Sequence, residues 1–286
     1  MMHDKDKLLL KIANAIVANI GNTTDIGLMN GKTGVCLFLY EYSRYSGIEY
    51  YEDVANGLLE SEVKRIANDL RLNTINSISE FGIGLVKLVE RMFVEEGNET
   101  IFEKIDKYLL NSIAASFKEY VRENGNAHFS PAVYFLYRIV YSKKSNLVDA
   151  FVASMNSQID CCLKENTRLA YNLLCVFKII KFYCKSELLQ KAIKFMENNM
   201  EPDTFISLPC IFEIVRCLYS ANKLSGKYDN KTLWWRYIYD ITGRIMPEHI
   251  EGRFVRDELT QMFNEANNNK FSVIGLLILG KYEKKN

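Results

Sequence analysis

The chain has 286 residues, of which 48% are hydrophobic and 12% aromatic, ample for a sizeable buried core. Its 36 basic and 35 acidic residues leave a formal net charge of +1, so no global field draws it to nucleic acid or to an anionic membrane, and a partner must be recognised locally. The longest apolar runs, such as 273–279, fall well short of the roughly 20 residues that cross a bilayer.

Residues 3–7 are polar, and the apolar stretch after them is interrupted by Lys11 and Asn14 and has no small-residue cleavage site. It does not read as a signal peptide, so a soluble, cytoplasmic protein is expected. Leu9, Ile12, Ala13, Ile16, Val17 and Ile20 stand at helical spacing and predict the first helix. A short loop, Gly27-Leu28-Met29-Asn30-Gly31-Lys32-Thr33-Gly34, then opens into the apolar run Val35-Cys36-Leu37-Phe38-Leu39-Tyr40. Related openings recur about every 40 to 60 residues, at 81–85, 129–133, 169–173, 208–212 and 271–276, the later ones eroded. Between them, amphipathic helices with one apolar stripe and one charged face are predicted at 50–70, 100–122, 146–164, 185–199 and 227–246. The polar tail 281–286 is expected to fray.

Only four prolines and no Pro- or Gly-rich linker interrupt this pattern, which predicts one all-α domain over 1–286. Mixed-face helices alternate with nearly apolar ones such as 132–137, so the apolar helix should be sandwiched and the charged one should lie outside. An open solenoid satisfies the pattern. A closed α/α toroid of repeated helical hairpins also removes the exposed ends of the apolar layer and is the preferred expectation.

Gly27 to Gly34, followed by Phe38-Leu39-Tyr40-Glu41-Tyr42-Ser43-Arg44-Tyr45-Ser46-Gly47 and Tyr51-Glu52-Asp53-Val54-Ala55, resembles the opening hairpin of lanthionine synthetase C-like proteins. Phe81-Gly82-Ile83-Gly84, the turn Glu95-Glu96-Gly97-Asn98-Glu99 and residues 102–109 look like the second hairpin, and Ile274-Gly275-Leu276-Leu277 is similar to the closing repeat. The resemblance implies an α/α toroid acting in bacterial peptide maturation. Catalytic members of that family add a peptide cysteine to a dehydrated serine or threonine, using zinc held by two cysteines and a histidine. A catalytic zinc needs three protein ligands and an open position where a thiol becomes a thiolate. The family carries those ligands in Trp-Cys-x-Gly and Cys-His-Gly segments, and neither is present: Trp234-Trp235 precede Arg236, and no cysteine is followed by histidine. The expectation is therefore a zinc-free pseudoenzyme without metal or cofactor that binds a peptide or protein partner, and neither nucleic acid nor membrane.

Other chemistry is weighed on individual residues. The seven cysteines form no C-x-x-C pair, and most sit in apolar helical patterns, which reads as core thiols. Cys210, His128 and His249 stand near loops or repeat openings and would build a non-standard metal site for a thioether cyclase; His3 reads as solvated. Lys32-Thr33 superficially suggests a phosphate loop, but the Gly27 spacing and helical surroundings fail that pattern, and structural glycines are the expectation. Glycoside-cleaving toroids use two carboxylates across the inner opening, and Asp25, Glu41, Glu80 and Glu213 would supply them. Of these, Glu41 and Glu213 interrupt apolar helices and must face a cavity, find a partner or hold a raised pKa. Most aromatic side chains read as core. Tyr40, Tyr137, Arg44, Arg138 and Arg216, with Lys178 at a comparable position, are the candidate peptide-binding residues through carbonyls and carboxylates; the alternative is that the cations snorkel from helix ends.

Overall fold

The computed structural model describes residues 4–200, apart from 29–30, 96–98, 124–129, 141, 157 and 166. Among the described residues there are ten α-helices and no β-strand, as the helical periodicity requires. No helix among them is long and apolar enough to cross a membrane. They fall into two compact units, 4–101 and 102–200.

The first unit holds α1 (Asp4–Ala18), α2 (Lys32–Ser46), α3 (Tyr50–Asn68) and α4 (Ile75–Glu90). On α1, Leu9, Ile12, Ala13 and Ile16 are completely or almost completely buried, the spacing of one helical face. Helix α2 is the centre of the unit. Every residue from Thr33 to Tyr40 is buried, and α2 packs chiefly on α3, then on α4 and α1. It stops at Gly47, whose left-handed φ of 70° turns the chain while its N–H donates to Ser43 O. Helix α3 buries one stripe, Tyr51, Ala55, Leu59, Glu62 and Ile66, and leaves its other face wet.

Helix α4 corrects one expectation. The Phe81-Gly82-Ile83-Gly84 segment is not a loop opening but lies in mid-helix, because Thr74 caps the helix earlier: Ser77 N–H donates to Thr74 Oγ1 at 3.1 Å. Gly84 serves packing instead, since a Cβ there would run into the Thr33 methyl on α2. The helix ends in a Schellman turn, with Phe93 N–H donating to Leu88 O and Met92 N–H to Val89 O, both at 3.0 Å. Met92 occupies the left-handed position with φ 58°.

The second unit continues α5 (Glu99–Glu123) and holds α6 (Ser130–Val140), α7 (Leu147–Asn156), α8 (Ile159–Glu165), α9 (Thr167–Tyr183) and α10 (Glu187–Asn199). Helix α5 buries Phe102, Ile105, Leu109 and Ile113. All of α6 is buried, so the nearly apolar helix is sandwiched as its composition predicts. Phe135 stacks on Phe151 at 4.7 Å, and Phe151 meets Phe177 edge-on at 5.7 Å, joining α6, α7 and α9. Ser186 caps α10 through Leu189 N–H and donates its own hydroxyl to Asp149, fixing α10 on α7.

The helix predicted over 146–164 is two. Gln158 N–H turns back to Met155 O at 2.8 Å between α7 and α8, and Asn156 just before it is a residue type whose side chain competes with helical backbone bonds. The predicted 169–173 opening likewise lies inside α9. The expected helix over 227–246, the openings 208–212 and 271–276, and the tail lie outside the described residues.

Candidate functional site

The glycine loop before α2 is closed on itself. At the start of α2, Lys32, Thr33 and Gly34 donate their N–H groups to the carbonyls of Asp25, Ile26 and Gly27 at 2.9, 3.3 and 3.4 Å. These are the amides a phosphate-binding helix start would offer, and here the chain itself takes them. The expected structural role of the glycines holds, by close approach rather than by left-handed turning. Gly31 is extended (φ −132°), and a Cβ on it would lie 2.5 Å from Gly27 O. Leu28 N–H donates to Glu80 Oε2 at 2.9 Å, Gly27 N–H to Asp25 Oδ1, and Ser77 Oγ to Asp25 Oδ2 at 2.8 Å, so Asp25 and Glu80 are used to hold the loop on α4. Lys32 Nζ meets the buried Glu62 at 2.6 Å, and Arg65 Nε donates to the same carboxylate at 2.8 Å.

The second half of α2 is different. Tyr40, Glu41 and Arg44, all singled out by the sequence, meet one structure: the turn after α4. Phe93 stacks on the Tyr40 ring with centroids 5.0 Å apart, and the Arg44 guanidinium lies 3.8 Å from the same Phe93 centroid. Arg44 Nη2 donates to Arg91 O at 2.8 Å, while Arg91 Nε stands 3.6 Å from Glu41 Oε1. Tyr40 donates its hydroxyl to Asn56 Oδ1 on α3 at 2.6 Å, and burial pushes the phenol above its ordinary range. Arg44 remains exposed, and Met92 beside it is 85% exposed. The arrangement therefore presents a guanidinium oriented by a ring and a carbonyl, whose five N–H donors suit peptide carbonyls or a carboxylate. Glu41 is paired with a cation, which suits positioning better than proton transfer.

In the second unit Tyr137 is fully buried, and Arg138 is only 1% exposed. The Arg138 guanidinium grips Asp106 with two donors, Nη2 to Oδ2 at 2.9 Å and Nε to Oδ1 at 3.3 Å, and lies over the Phe102 ring at 4.3 Å. Tyr134 donates to the same Asp106 at 2.6 Å. Arg138 is thus engaged inside the unit rather than snorkelling to water, and Lys178 pairs with Glu197 at 2.7 Å. Cys210, His128, His249, Glu213 and Arg216 lie outside the described residues.

No group of three or more His, Cys, Asp and Glu side chains placed to hold a metal ion occurs among the described residues. Burial pushes the Cys36 and Cys162 thiols well above their usual range, as expected of core thiols.

Sequence reasoning missed Phe93, Arg91 and Asp106. Asp106 had a signal: an acid set beside the Phe102, Ile105, Leu109 stripe. Phe93 had none, because it follows a helix end and is brought to α2 only by tertiary packing. Comparison with models of known families, with curated proteins and with solved structures finds no match to any of them.

Proposed function

We propose that this protein is a zinc-free, lanthionine synthetase C-like scaffold that binds a peptide or partner protein in bacterial peptide maturation. In this reading its helical hairpins close into an α/α toroid, and it works in the cytoplasm. The alternation of wholly buried helices such as α6 with one-striped helices such as α3 supports the hairpin repeat. The missing Trp-Cys-x-Gly and Cys-His-Gly segments support a binding rather than a thioether-forming role. The observation that carries the reading is the Tyr40–Phe93–Arg44 stack, which holds an exposed guanidinium in one orientation before any partner arrives. Preorganisation of that kind lowers the ordering cost of binding.

The test is fluorescence anisotropy with a labelled linear peptide of Cys, Ser and Thr residues. Saturable binding that weakens about tenfold in Arg44→Ala is expected, the scale of a modest arginine anchor. No binding, or binding indifferent to Arg44, overturns the reading. Metal analysis of protein purified without affinity tag or chelator should find zinc well below one equivalent per chain; a full equivalent overturns the zinc-free assignment and revives thioether chemistry.

A further inference from the structure

Among the described residues five large hydrophobic side chains stand strongly exposed, and three of them sit together at the turn between α2 and α3: Tyr45 (44%), Ile48 (43%) and Tyr50 (56%). The turn is held in place. Gly47 adopts φ 70°, Ser43 Oγ donates to Ile48 O at 3.0 Å, and Tyr45 donates its hydroxyl to Asp6 on α1 at 2.7 Å. Tyr50 packs edge-on to Tyr51, with centroids 5.5 Å apart, and Tyr51 is anchored to Asn14. An apolar patch so fixed does not bury itself by local rearrangement.

Its own charge is negative, with the exposed Arg44 immediately before it. Residues 45–53 contain Glu49, Glu52 and Asp53, all exposed, and no basic residue. Glu49 stands at the start of α3 without making a capping hydrogen bond, and no ion pair to any of the three carboxylates occurs among the described residues. Glu52 and Asp53 suit the positive end of the α3 dipole. That does not account for Glu49, nor for three exposed apolar side chains beside them. A tyrosine ring such as Tyr50 next to unpaired carboxylates forms a surface on which a guanidinium or ammonium group is held twice, by the ring face and by the charge.

We propose that the α2–α3 turn docks a basic segment of a partner protein, with an Arg or Lys side chain laid on Tyr50 and paired with Glu49, Glu52 and Asp53, and an apolar neighbour on Ile48. This surface shares no residue with the Tyr40–Phe93–Arg44 stack, so it stands or falls separately.

The experiment uses the full chain and two labelled probes, a short peptide of alternating Arg and Leu and its alternating Glu and Leu counterpart, followed by anisotropy at low and moderate salt. The Arg–Leu probe should bind and the Glu–Leu probe should not. The combined Glu49→Gln, Glu52→Gln, Asp53→Asn variant should weaken binding about tenfold, since three exposed pairs of a few tenths to 1 kcal/mol sum to roughly that factor. Tyr50→Ala should weaken it several-fold at unchanged helical circular dichroism. Should the combined variant lose helix, Glu49→Lys alone carries the test in the same direction. Absent binding, equal binding of both probes, or affinity indifferent to the charge and Tyr50 variants overturns the proposal. So does concentration-dependent dimerisation abolished by Tyr50→Ala in sedimentation, which would make the patch an interface between copies.

Discussion

Glycine inside a helix lowers stability by roughly 0.5–1 kcal/mol relative to alanine, yet at Gly84 the rule inverts. The Thr33 methyl occupies the space a Cβ would take, and Thr33 cannot easily turn away because its hydroxyl is bonded to Ile26 O. Gly84→Ala should therefore lower unfolding stability by about 1–3 kcal/mol, an overpacking effect, and Thr33→Ser in the same chain should restore most of it by removing the methyl while keeping the hydroxyl. Urea denaturation of the two single variants and the double variant measures this; additive losses would exclude the contact. Met92 presents the reverse case. It holds a left-handed φ of 58° at the end of α4, where a side chain costs about 1–2 kcal/mol and glycine is the ordinary occupant. Met92→Gly should raise stability by about 0.5–1 kcal/mol, after glycine's greater loss of backbone entropy on folding is set against the relieved strain. A lower denaturation midpoint in that variant would mean that Met92 makes a stabilising contact beyond the turn.

Between elements, the α5–α6 contact is decided by one buried charge pair. Asp106 accepts from Tyr134 and from two nitrogens of Arg138, with all three side chains almost wholly out of water. Removing one partner leaves the other charge buried alone. Asp106→Ala should cost about 3–5 kcal/mol, whereas Asp106→Leu combined with Arg138→Met should recover much of that by replacing the pair with apolar packing. Tyr134→Phe should cost only about 1–2 kcal/mol, since Arg138 still compensates the carboxylate. Equal losses in the single and paired variants, read by denaturation, would show that the ion pair itself rather than its desolvation governs the contact.

At the scale of the molecule the buried acids set a stability limit on the alkaline side. Burial raises the phenols of Tyr40, Tyr42 (to about 12), Tyr51 and Tyr134, and the thiols of Cys36 and Cys162. The folded protein keeps these protons while the unfolded chain releases them, from about pH 8.5 for thiols and about 10 for phenols. The sign follows: this stability is fully present below that range and is lost as pH rises toward 12. The urea midpoint should be level from about pH 7 to 8.5 and fall clearly by about 10.5, with the phenolate absorbance of a subset of tyrosines delayed until unfolding. A midpoint unchanged through that window would mean these groups are solvated in the folded state.

The sequence by itself determined the helical class, the one-striped helices predicted over 50–70 and 100–122, and the burial of α6. Those follow from apolar spacing along the chain, which is a local property. It also pointed to Tyr40, Glu41 and Arg44, because charged and phenolic groups in an apolar helix stand out without knowledge of their neighbours. Tertiary structure decided what each meets. Phe93 reaches Tyr40 and Arg44 from more than 45 positions away, Asp106 draws Arg138 inward, and Gly84 is a packing glycine only because Thr33 lies against it. A side chain's spacing records which face of a helix it occupies; whether that face meets water, a ring or an opposite charge depends on helices distant in the chain, and only their packing brings those groups within contact distance.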